Sequence, residues 1–352
     1  MANEAAWTAR LARYKGPQLR RSVWQLASAA ALFAGAWALM YASLRVGYWL
    51  TLLLAVPAAF FLIRLFIIQH DCGHGSFFPS RMANDAVGFV LGVFTLTPYH
   101  QWRLNHALHH ATACNLDRRG HGDIRLLTVS EYVRLSPFRR LCYRVLHNPW
   151  FLFGVAPLFH FVVLQRIPYY SRWSWKKSSL QEARGWVRER RSVHATNALI
   201  VAMVALAGHA LGWSTFLAVH LPVAALAASA GMWLFHVQHA FDGARWTEEA
   251  NWDYVSTGTL GSSYYKLPRV LQWLTANIGL HHVHHLDSRI PYYRLPASLG
   301  AVPELRDAPA LTLRASGRCA WLSLWDERTA SLVGFRDLGG SGGAKGVRFG
   351  AP

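Results

Sequence analysis

The stretch Asn277-Ile278-Gly279-Leu280-His281-His282-Val283-His284-His285-Leu286 places four histidines within five positions. Residues at positions i, i+3 and i+4 of a helix share one face. We therefore expect His281, His284 and His285 to point one way and His282 to lie off that arc. Three neutral imidazoles on one face form a metal-binding surface. A solvated polar turn is the alternative, and it is disfavoured because similar clusters occur elsewhere in the chain.

The composition is typical of a membrane protein. Hydrophobic residues make up 53% of the 352 residues and charged residues only 15%, against about 25% charged in a soluble protein. The net charge of +18 would suit nucleic acid, anionic lipid or an acidic protein. Long apolar runs favour anionic lipid or an acidic protein as the partner. No stretch of the sequence resembles a nucleic-acid-binding module, so we expect no nucleic-acid partner. Four cysteines without CxxC spacing indicate neither a disulfide framework nor an iron–sulfur site.

Four apolar segments are long enough to cross about 30 Å of hydrocarbon. They are predicted at residues 22–44, 48–68, 194–213 and 216–237. Short connections pair them into two helical hairpins, and Arg64, near the end of the second span, is expected to reach the membrane interface. The apolar segments 86–99 and 150–164 are too short to span and predict re-entrant or interfacial helices. The charged segment 115–148 is predicted to face water.

The distribution of charge predicts the topology. Basic residues concentrate in the N-terminus, in segment 115–191 and in the C-terminal third, whereas the loops on the opposite side carry only Arg45. The positive-inside rule places both termini and all histidine clusters in the cytoplasm. The first apolar segment is too long for a cleaved signal, so it predicts a retained anchor. We divide the chain into a cytoplasmic segment 1–21, a membrane domain 22–336 and a Gly-rich tail 337–352 that we expect to be disordered.

Three histidine clusters lie on the same predicted side of the membrane. The first has i, i+4 spacing, each of the other two has i, i+3, i+4 spacing, and one more histidine follows the last span. The nine candidate ligands are His70 and His74; His106, His109 and His110; His239; and His281, His284 and His285. A zinc ion takes three or four protein ligands, so nine nitrogens suit two metal ions. Iron, copper and zinc all accept imidazole, and ligand type alone does not choose among them.

Acidic residues beside the clusters are candidates to hydrogen-bond the imidazoles and fix their tautomers. They are Asp71, Asp117, Asp123, Asp242 and Asp287, and an ordinary surface role is an equal alternative for each. Glycines that weaken the first helical cluster indicate a close approach there; they are Gly73 and Gly75. The isolated histidines are expected to be satisfied interior or interface residues: His100, His121, His147, His160, His194, His209 and His220, with His236 ambiguous.

The clusters resemble the three histidine boxes of membrane fatty acid desaturases. The boxes are His70–His74, His106–His110 and His281–His285, and the stretch Gln238–Phe241 resembles an additional histidine motif of that family. Neighbouring stretches are similar to bacterial acyl-lipid desaturases related to plant omega-6 (delta-12) enzymes. These stretches are Gly75–Phe78, Asn115–Arg119, Gly261–Tyr265 and Ser288–Tyr293. The resemblance covers roughly residues 40–335.

The resemblance implies an all-α membrane protein with four transmembrane helices in two hairpins, interfacial helices and a cytoplasmic helical cap. It implies two non-haem iron ions held by the nine histidines, with His282 as a neighbour outside the ligand set. It implies O₂ as co-substrate and a cis double bond introduced into an acyl chain that is lipid-linked. The chain carries no iron–sulfur, cytochrome b5 or flavin signature, so a separate electron donor is implied, a ferredoxin or a cytochrome b5 type. The basic segment 115–191 would dock that donor or bind lipid headgroups.

Details of the boxes narrow the class. Three residues separate the histidines of the first box, as in acyl-lipid methyl-end enzymes, and His281 stands where front-end enzymes have Gln. Two departures are Cys114, where the family leads us to expect Gly, and His236, where it leads us to expect an aromatic residue.

Three alternatives remain. The same fold and irons would serve a hydroxylase or ketolase acting on a carotenoid or fatty acyl substrate. A zinc protease would match the His-Asp-x-x-His spacing of the first box but would leave both histidine triplets without a role. A metal transporter would need ligands within the spans, which hold at most His209, His220 and His236.

Overall fold

Helices dominate the computed structural model, which describes residues 2–120, 123–168 and 186–339. The α-helices are α1 Ala2–Ala12, α2 Leu19–Ser43, α3 Tyr48–His74, α4 Arg81–Phe94, α5 Tyr99–Thr112, α6 Val129–Arg134, α7 Pro137–Leu146, α8 Ala156–Val162, α9 Val187–Leu211, α10 Trp213–His239, α11 Tyr254–Leu260, α12 Arg269–Leu274, α13 His281–Leu286, α14 Leu295–Ala301 and α15 Leu313–Ser316. The helical membrane fold predicted from the sequence is confirmed. His121, residues 169–185 of the basic segment 115–191 and tail residues 340–352 lie outside the described residues.

Four helices, α2, α3, α9 and α10, are long and apolar enough to cross a membrane. Helices α3 and α10 have 27 residues each, which at 1.5 Å per residue reach about 40 Å and exceed the hydrocarbon thickness. The predicted spans ended at residues 68 and 237, where hydropathy falls. The helices continue because the polar side chains beyond those points are buried against the rest of the protein. The membrane helices themselves therefore deliver box histidines.

Arg64 does not reach the interface, and this expectation is wrong. Its side chain is only 3% exposed. It donates to the carbonyl of Trp273 and to Oε1 of Gln25, and its guanidinium lies 4.5 Å from the centre of the Trp273 ring. Buried acceptors next to α3 satisfy the arginine, so it has no need to extend to the headgroups.

Two shorter helices, α4 and α5, occupy the place of the predicted helix 86–99. Ser80 caps α4 by accepting a hydrogen bond from the N–H of Ala83. The chain turns at Leu96, whose φ of +55° lies in the left-handed region, and then enters α5. Helix α5 packs against α3 and α9. The second histidine box is thus held between membrane helices from both hairpins.

The segment 115–148, which was predicted to face water, is not uniformly polar. Helix α7 exposes Phe138, Leu141 and Val145 along one stripe and carries several arginines on the rest of its surface. Such an amphipathic pattern is typical of helices at a membrane surface. The following helical segment Phe151–Arg166, which opens with a π-helical turn at Phe151–Val155, bends away from α7 by 54°.

Short strands connect distant parts of the chain beside the helices. Strands β1 (Leu127–Thr128), β4 (Leu324–Asp326) and β5 (Ser331–Val333) form one sheet in the order β1-β4-β5, parallel and then antiparallel. Strands β2 (Tyr264–Lys266) and β3 (Ala310–Thr312) form a parallel pair with Tyr264 opposite Ala310. Turns of 3₁₀ helix lie at Leu164–Arg166, Glu249–Asn251, Tyr292–Arg294, Pro303–Asp307, Cys319–Trp321 and Asp337–Gly339.

The N-terminal segment packs onto the residues that follow the third histidine box. Lys15 forms an ion pair with Asp287, with 2.6 Å between Nζ and Oδ2. The N–H of Gly16 donates to the carbonyl of Arg289 over 2.9 Å. Helix α2 begins at Leu19, three residues before the predicted span. Residues 2–18 are therefore joined to the chain segment that follows the third histidine box.

Candidate metal centre

All nine predicted ligand histidines meet in two adjacent clusters. The five-histidine cluster contains His70, His74, His106, His110 and His284, and the four-histidine cluster contains His109, His239, His281 and His285. Within each cluster, one ring nitrogen from every member lies within 4.8 Å of the others. Seven of the nine side chains are buried, and the other two, His74 and His106, are half-buried.

The distances between ring nitrogens fit metal coordination. Pairs of Nε2 atoms in the clusters lie 3.0–3.2 Å apart, and ligand nitrogens at right angles about 2.1 Å from one ion would be about 3 Å apart. Hydrogen bonding alone does not explain the arrangement. Nε2 of His281 lies 3.0 Å from Nε2 of both His239 and His285, and it carries at most one proton. Nε2 of His74 is buried without a partner among the described residues. The donor set fits two metal ions.

Each histidine triplet is divided between the two clusters. On α5, His106 and His110 join the five-histidine cluster, while His109 joins the other; on α13, His281 and His285 join the four-histidine cluster, while His284 joins the other. The sequence predicted one shared face for each triplet, and it did not predict that this face would be divided between two centres. Positions i and i+4 differ by about 40° around a helix, but i+3 and i+4 differ by about 100°. The angle of about 100° between positions i+3 and i+4 is wide enough for their side chains to reach two neighbouring metal sites.

The first box is shaped by its glycines. A Cβ on Gly73 would lie 2.9 Å from the ring of Trp102, so the predicted close approach exists there. Gly75 has φ +70° and ends α3 in the left-handed region, which a glycine adopts without strain. The helix thus ends at His74, whose ring lies directly beside His106 and His110 of the second box.

The third box follows a strained turn. Ala276 and Asn277 both have left-handed φ angles, +50° and +57°, which a non-glycine residue rarely adopts. Gly279 then lies against the backbone of Tyr265, whose N–H donates to the Gly279 carbonyl over 2.7 Å. A Cβ on Gly279 would be 2.5 Å from the Tyr265 carbonyl oxygen. Strand β2 therefore fixes where α13 begins, and with it the directions of the histidines on that helix.

Two of the acidic residues contact ligand histidines. Nδ1 of His70 lies 3.0 Å from Oδ1 of Asp71, and the other Asp71 oxygen accepts the backbone N–H of Tyr292 over 2.7 Å. Nδ1 of His109 hydrogen-bonds to Asp123. A carboxylate on Nδ1 holds the proton there and leaves Nε2 as a lone-pair donor. Among the described residues, each cluster thus has one histidine that a carboxylate contacts through Nδ1.

The other residues predicted around the ligands have different contacts. Asp117 accepts the backbone N–H of Glu249, Asp242 pairs with Arg318, and Asp287 pairs with Lys15 and Arg289. His282 is fully buried, and its ring centre lies 5.5 Å from that of Tyr264.

Burial keeps the candidate ligand histidines of α5 and α13 in the neutral form that can bind metal. Desolvation lowers the pKa of His106, His110, His281, His284 and His285 well below that of an exposed histidine, and neighbouring imidazoles lower it further. A lowered pKa keeps each imidazole neutral at physiological pH, so its unprotonated nitrogen can act as a ligand.

Two departures from the expected motif have local explanations. Cys114 adopts φ +55°, a conformation in which glycine is favoured, and its Sγ donates to the carbonyl of Gly261 over 3.3 Å. The same carbonyl lies 3.4 Å from Nδ1 of His239. His236 donates to the carbonyl of Cys319 over 2.8 Å, which is a structural role. In the sequence, only the resemblance of Gly261–Tyr265 to a family motif indicated that Gly261 lies near the site.

Isolated histidines behave as expected where their contacts are defined. His147 lies between the carbonyls of Tyr143 and Arg125, at 2.9 and 2.7 Å. His160 hydrogen-bonds to Gln165, and His220 to the carbonyl of Phe216.

Comparison with known proteins gives a consistent set of relatives. A family model described as fatty acid desaturase matches residues 46–313. A fatty acid desaturase of Bacillus subtilis (strain 168) is 42% identical over 331 residues, which cover 94% of this chain and 90% of that protein. An sn-1 oleoyl-lipid 12-desaturase of Anabaena variabilis is 26% identical over 310 residues, covering 82% and 78%. An sn-2 acyl-lipid omega-3 desaturase (ferredoxin) of Arabidopsis thaliana is 30% identical over 245 residues, covering 66% and 50%.

Proposed function

Because the chain belongs to the fatty acid desaturase family, we propose that it introduces a cis double bond into a lipid-linked acyl chain at a di-iron centre. The observation that supports this most strongly is the convergence of nine imidazoles into a five- and a four-histidine cluster. Two bound iron ions would supply the oxidising chemistry, with O₂ as co-substrate. Side-chain acid–base chemistry cannot supply it, because a methylene C–H has no acidic proton and no leaving group.

The residues of the chain would position the metals and exclude water. Asp71 and Asp123 hold the Nδ1 protons of His70 and His109, so the Nε2 atoms of these rings face the clusters as lone-pair donors. The four-histidine cluster is fully buried, which limits access of water to its nitrogens. Neutral imidazoles need no proton release before they bind metal.

We infer a substrate of the acyl-lipid type, with omega-6 (delta-12) regiochemistry. The short first box supports this, and so do relatives named as oleoyl-lipid 12-desaturases. The clusters lie at the ends of membrane-spanning helices, where a chain already dissolved in the bilayer could approach. We further infer that the centre and both termini face the cytoplasm, with the protein in the bacterial inner membrane.

Two electrons per turnover would come from a separate protein, and we infer a ferredoxin-type donor or, alternatively, a cytochrome b5 type. Several relatives carry the word ferredoxin in their names. Exposed arginines in the segment after the second box, such as Arg134 and Arg139, would favour an acidic donor by charge complementarity.

Expression in a host that lacks polyunsaturated lipids, followed by fatty acid profiling, tests the proposal. Wild type should produce a diunsaturated acyl chain, His284→Ala should produce none, and His282→Ala should retain substantial activity. Hydroxylated fatty acids or altered carotenoids beside unchanged acyl chains would overturn the proposal in favour of a hydroxylase or ketolase. Purified protein that contains zinc and no iron would overturn it as well.

A further inference from the structure

A buried arginine in α3 connects the membrane helices to a ligand histidine. Arg64 lies seven residues before Asp71, so both occupy the same face of the helix. Both side chains are almost completely buried, at 3% and 1% exposure. A charged residue inside a membrane span is unfavourable and usually has a function. The described part of the chain gives Arg64 two oxygen acceptors, Trp273 O and Gln25 Oε1, in place of a carboxylate partner.

The contacts of Arg64 continue to the metal centre through Tyr292. Gln25 Oε1 accepts from Arg64 Nη2 over 3.0 Å and from the Tyr292 hydroxyl over 2.8 Å. The guanidinium lies 5.9 Å from the centre of the Tyr292 ring. The backbone N–H of Tyr292 then donates to Asp71 over 2.7 Å, and Asp71 holds His70. The hydrogen bonds from Arg64 to Gln25, from Tyr292 to Gln25 and from Tyr292 to Asp71 each join elements distant in sequence, and the last contact joins the neighbouring residues Asp71 and His70.

We propose that Arg64 is a positioning residue for the metal centre, acting through Gln25, Tyr292 and Asp71 on His70. The planar guanidinium donates to two acceptors at once, one on α2 and one at the end of α12. It thereby fixes the ring of Tyr292, whose backbone holds one oxygen of Asp71. The carboxylate is left with one defined orientation, which sets the rotation and tautomer of the His70 ring. This inference rests on the proposed metal site.

Loss of iron from the purified, iron-loaded protein to a chelator tests the proposal without an activity measurement. Arg64→Met should release iron about tenfold faster than wild type, since loss of outer contacts to ligands typically weakens metal binding about 10–100-fold. Tyr292→Phe removes only the hydroxyl contact to Gln25 and leaves the backbone contact to Asp71. It is a milder variant that should fold even if Arg64→Met does not, and it should release iron a fewfold faster.

Arg166→Met is the matched control. Arg166 is a half-buried arginine that also donates to one amide oxygen, Asn197 Oδ1, and one backbone carbonyl, that of Leu96. Both methionine variants should lower the thermal midpoint, but Arg166→Met should release iron within about twofold of wild type. Equal acceleration by the two variants would mean that Arg64 affects only general stability, and the proposal would be wrong.

A double-mutant comparison tests whether Arg64 acts through Asp71. Asp71→Asn should release iron at least as fast as Arg64→Met, and the double variant should be no faster than Asp71→Asn, because the contact is already lost. Independent, multiplied effects would overturn the proposed connection. A wild-type protein that holds no metal would instead refute the proposed function, so the two failures can be distinguished.

Discussion

The five-histidine cluster and the four-histidine cluster differ in both ligand number and enclosure. The larger cluster draws two ligands from the end of α3 and includes the half-buried His74 and His106. The smaller cluster is fully buried, and its ligands come from α5, α13 and His239 at the end of α10. A metal ion in the smaller cluster would have fewer protein nitrogens, so we expect that cluster to tolerate the loss of a ligand less well.

The two clusters are nevertheless joined by shared helices. Because α5 and α13 each contribute to both clusters, neither centre can move without affecting the other. Each cluster also has its own carboxylate support, Asp71 for the larger and Asp123 for the smaller. The two clusters share helices and differ in ligand number. Variants in one cluster can therefore be compared directly with variants in the other.

The largest expected difference is between His281→Ala and His74→Ala. His281 Nε2 lies 3.0 Å from two other nitrogens of the four-histidine cluster, and its removal leaves three ligands. We expect this variant to lose one of the two irons and at least about a hundredfold of its activity. Loss of a residue that only contacts a ligand already costs up to about a hundredfold, and loss of the ligand itself should cost more. His74→Ala leaves four nitrogens and should retain more iron. Iron per polypeptide and product formation measure both, and greater iron loss in His74→Ala would reverse the comparison.

Removal of the carboxylate from the smaller cluster should have the next largest effect. Asp123→Asn replaces the acceptor on Nδ1 of His109 by an amide and should weaken iron retention about 10–100-fold. Asp242→Asn is the control, because Asp242 is half-exposed and pairs with Arg318 over 3.8 Å. The two proteins are compared by their rate of iron loss to a chelator. Equal rates would show that Asp123 does not support the cluster.

Acid should destabilise the metal-free protein. Burial lowers the pKa of His281, His284 and His285 in the folded state, whereas an unfolded histidine has a pKa of about 6.5. Below about pH 6.5 the unfolded chain binds more protons than the folded one, so stability is fully present above that pH and decreases as the pH falls. The thermal midpoint of metal-free protein should therefore decrease between pH 7.5 and 5.5. A midpoint that is constant over this range would contradict the neutral, buried state of these rings.

Helical periodicity and composition allowed much of the site to be predicted. The four spans follow from hydropathy over about 20 residues. The nine candidate ligand positions follow mainly from histidines spaced by one helical turn. The division of each triplet between two clusters could not be predicted, because it depends on where the facing helices lie. The sequence also could not predict that Asp123, and not Asp117, contacts His109. Both residues follow the second box closely, and only the folded path of the chain brings Asp123 to the ring.

Hydropathy alone gave the wrong location for Arg64 and the wrong end for helix α3. Arg64 was expected at the interface because a single charge near the end of an apolar run usually extends there. In the structure, Gln25 and Trp273 from distant parts of the chain accept its protons. Similarly, α3 continues past residue 68 because its polar side chains are buried against other parts of the protein. Both errors arise from tertiary contacts that a local pattern does not contain.

The smallest expected effect concerns Cys114, beside the four-histidine cluster. Its φ of +55° is strained by about 1–2 kcal/mol for a residue with a Cβ, and its Sγ donates to the Gly261 carbonyl beside His239. Cys114→Ala loses that contact and keeps the strain, whereas Cys114→Gly loses the contact and relieves the strain. After the backbone entropy of glycine, about 0.5–1 kcal/mol, the Gly variant should be more stable than the Ala variant by up to about 1.5 kcal/mol. Denaturation midpoints measure this difference, and a more stable Ala variant would mean that packing around Cβ outweighs the backbone conformation at this position.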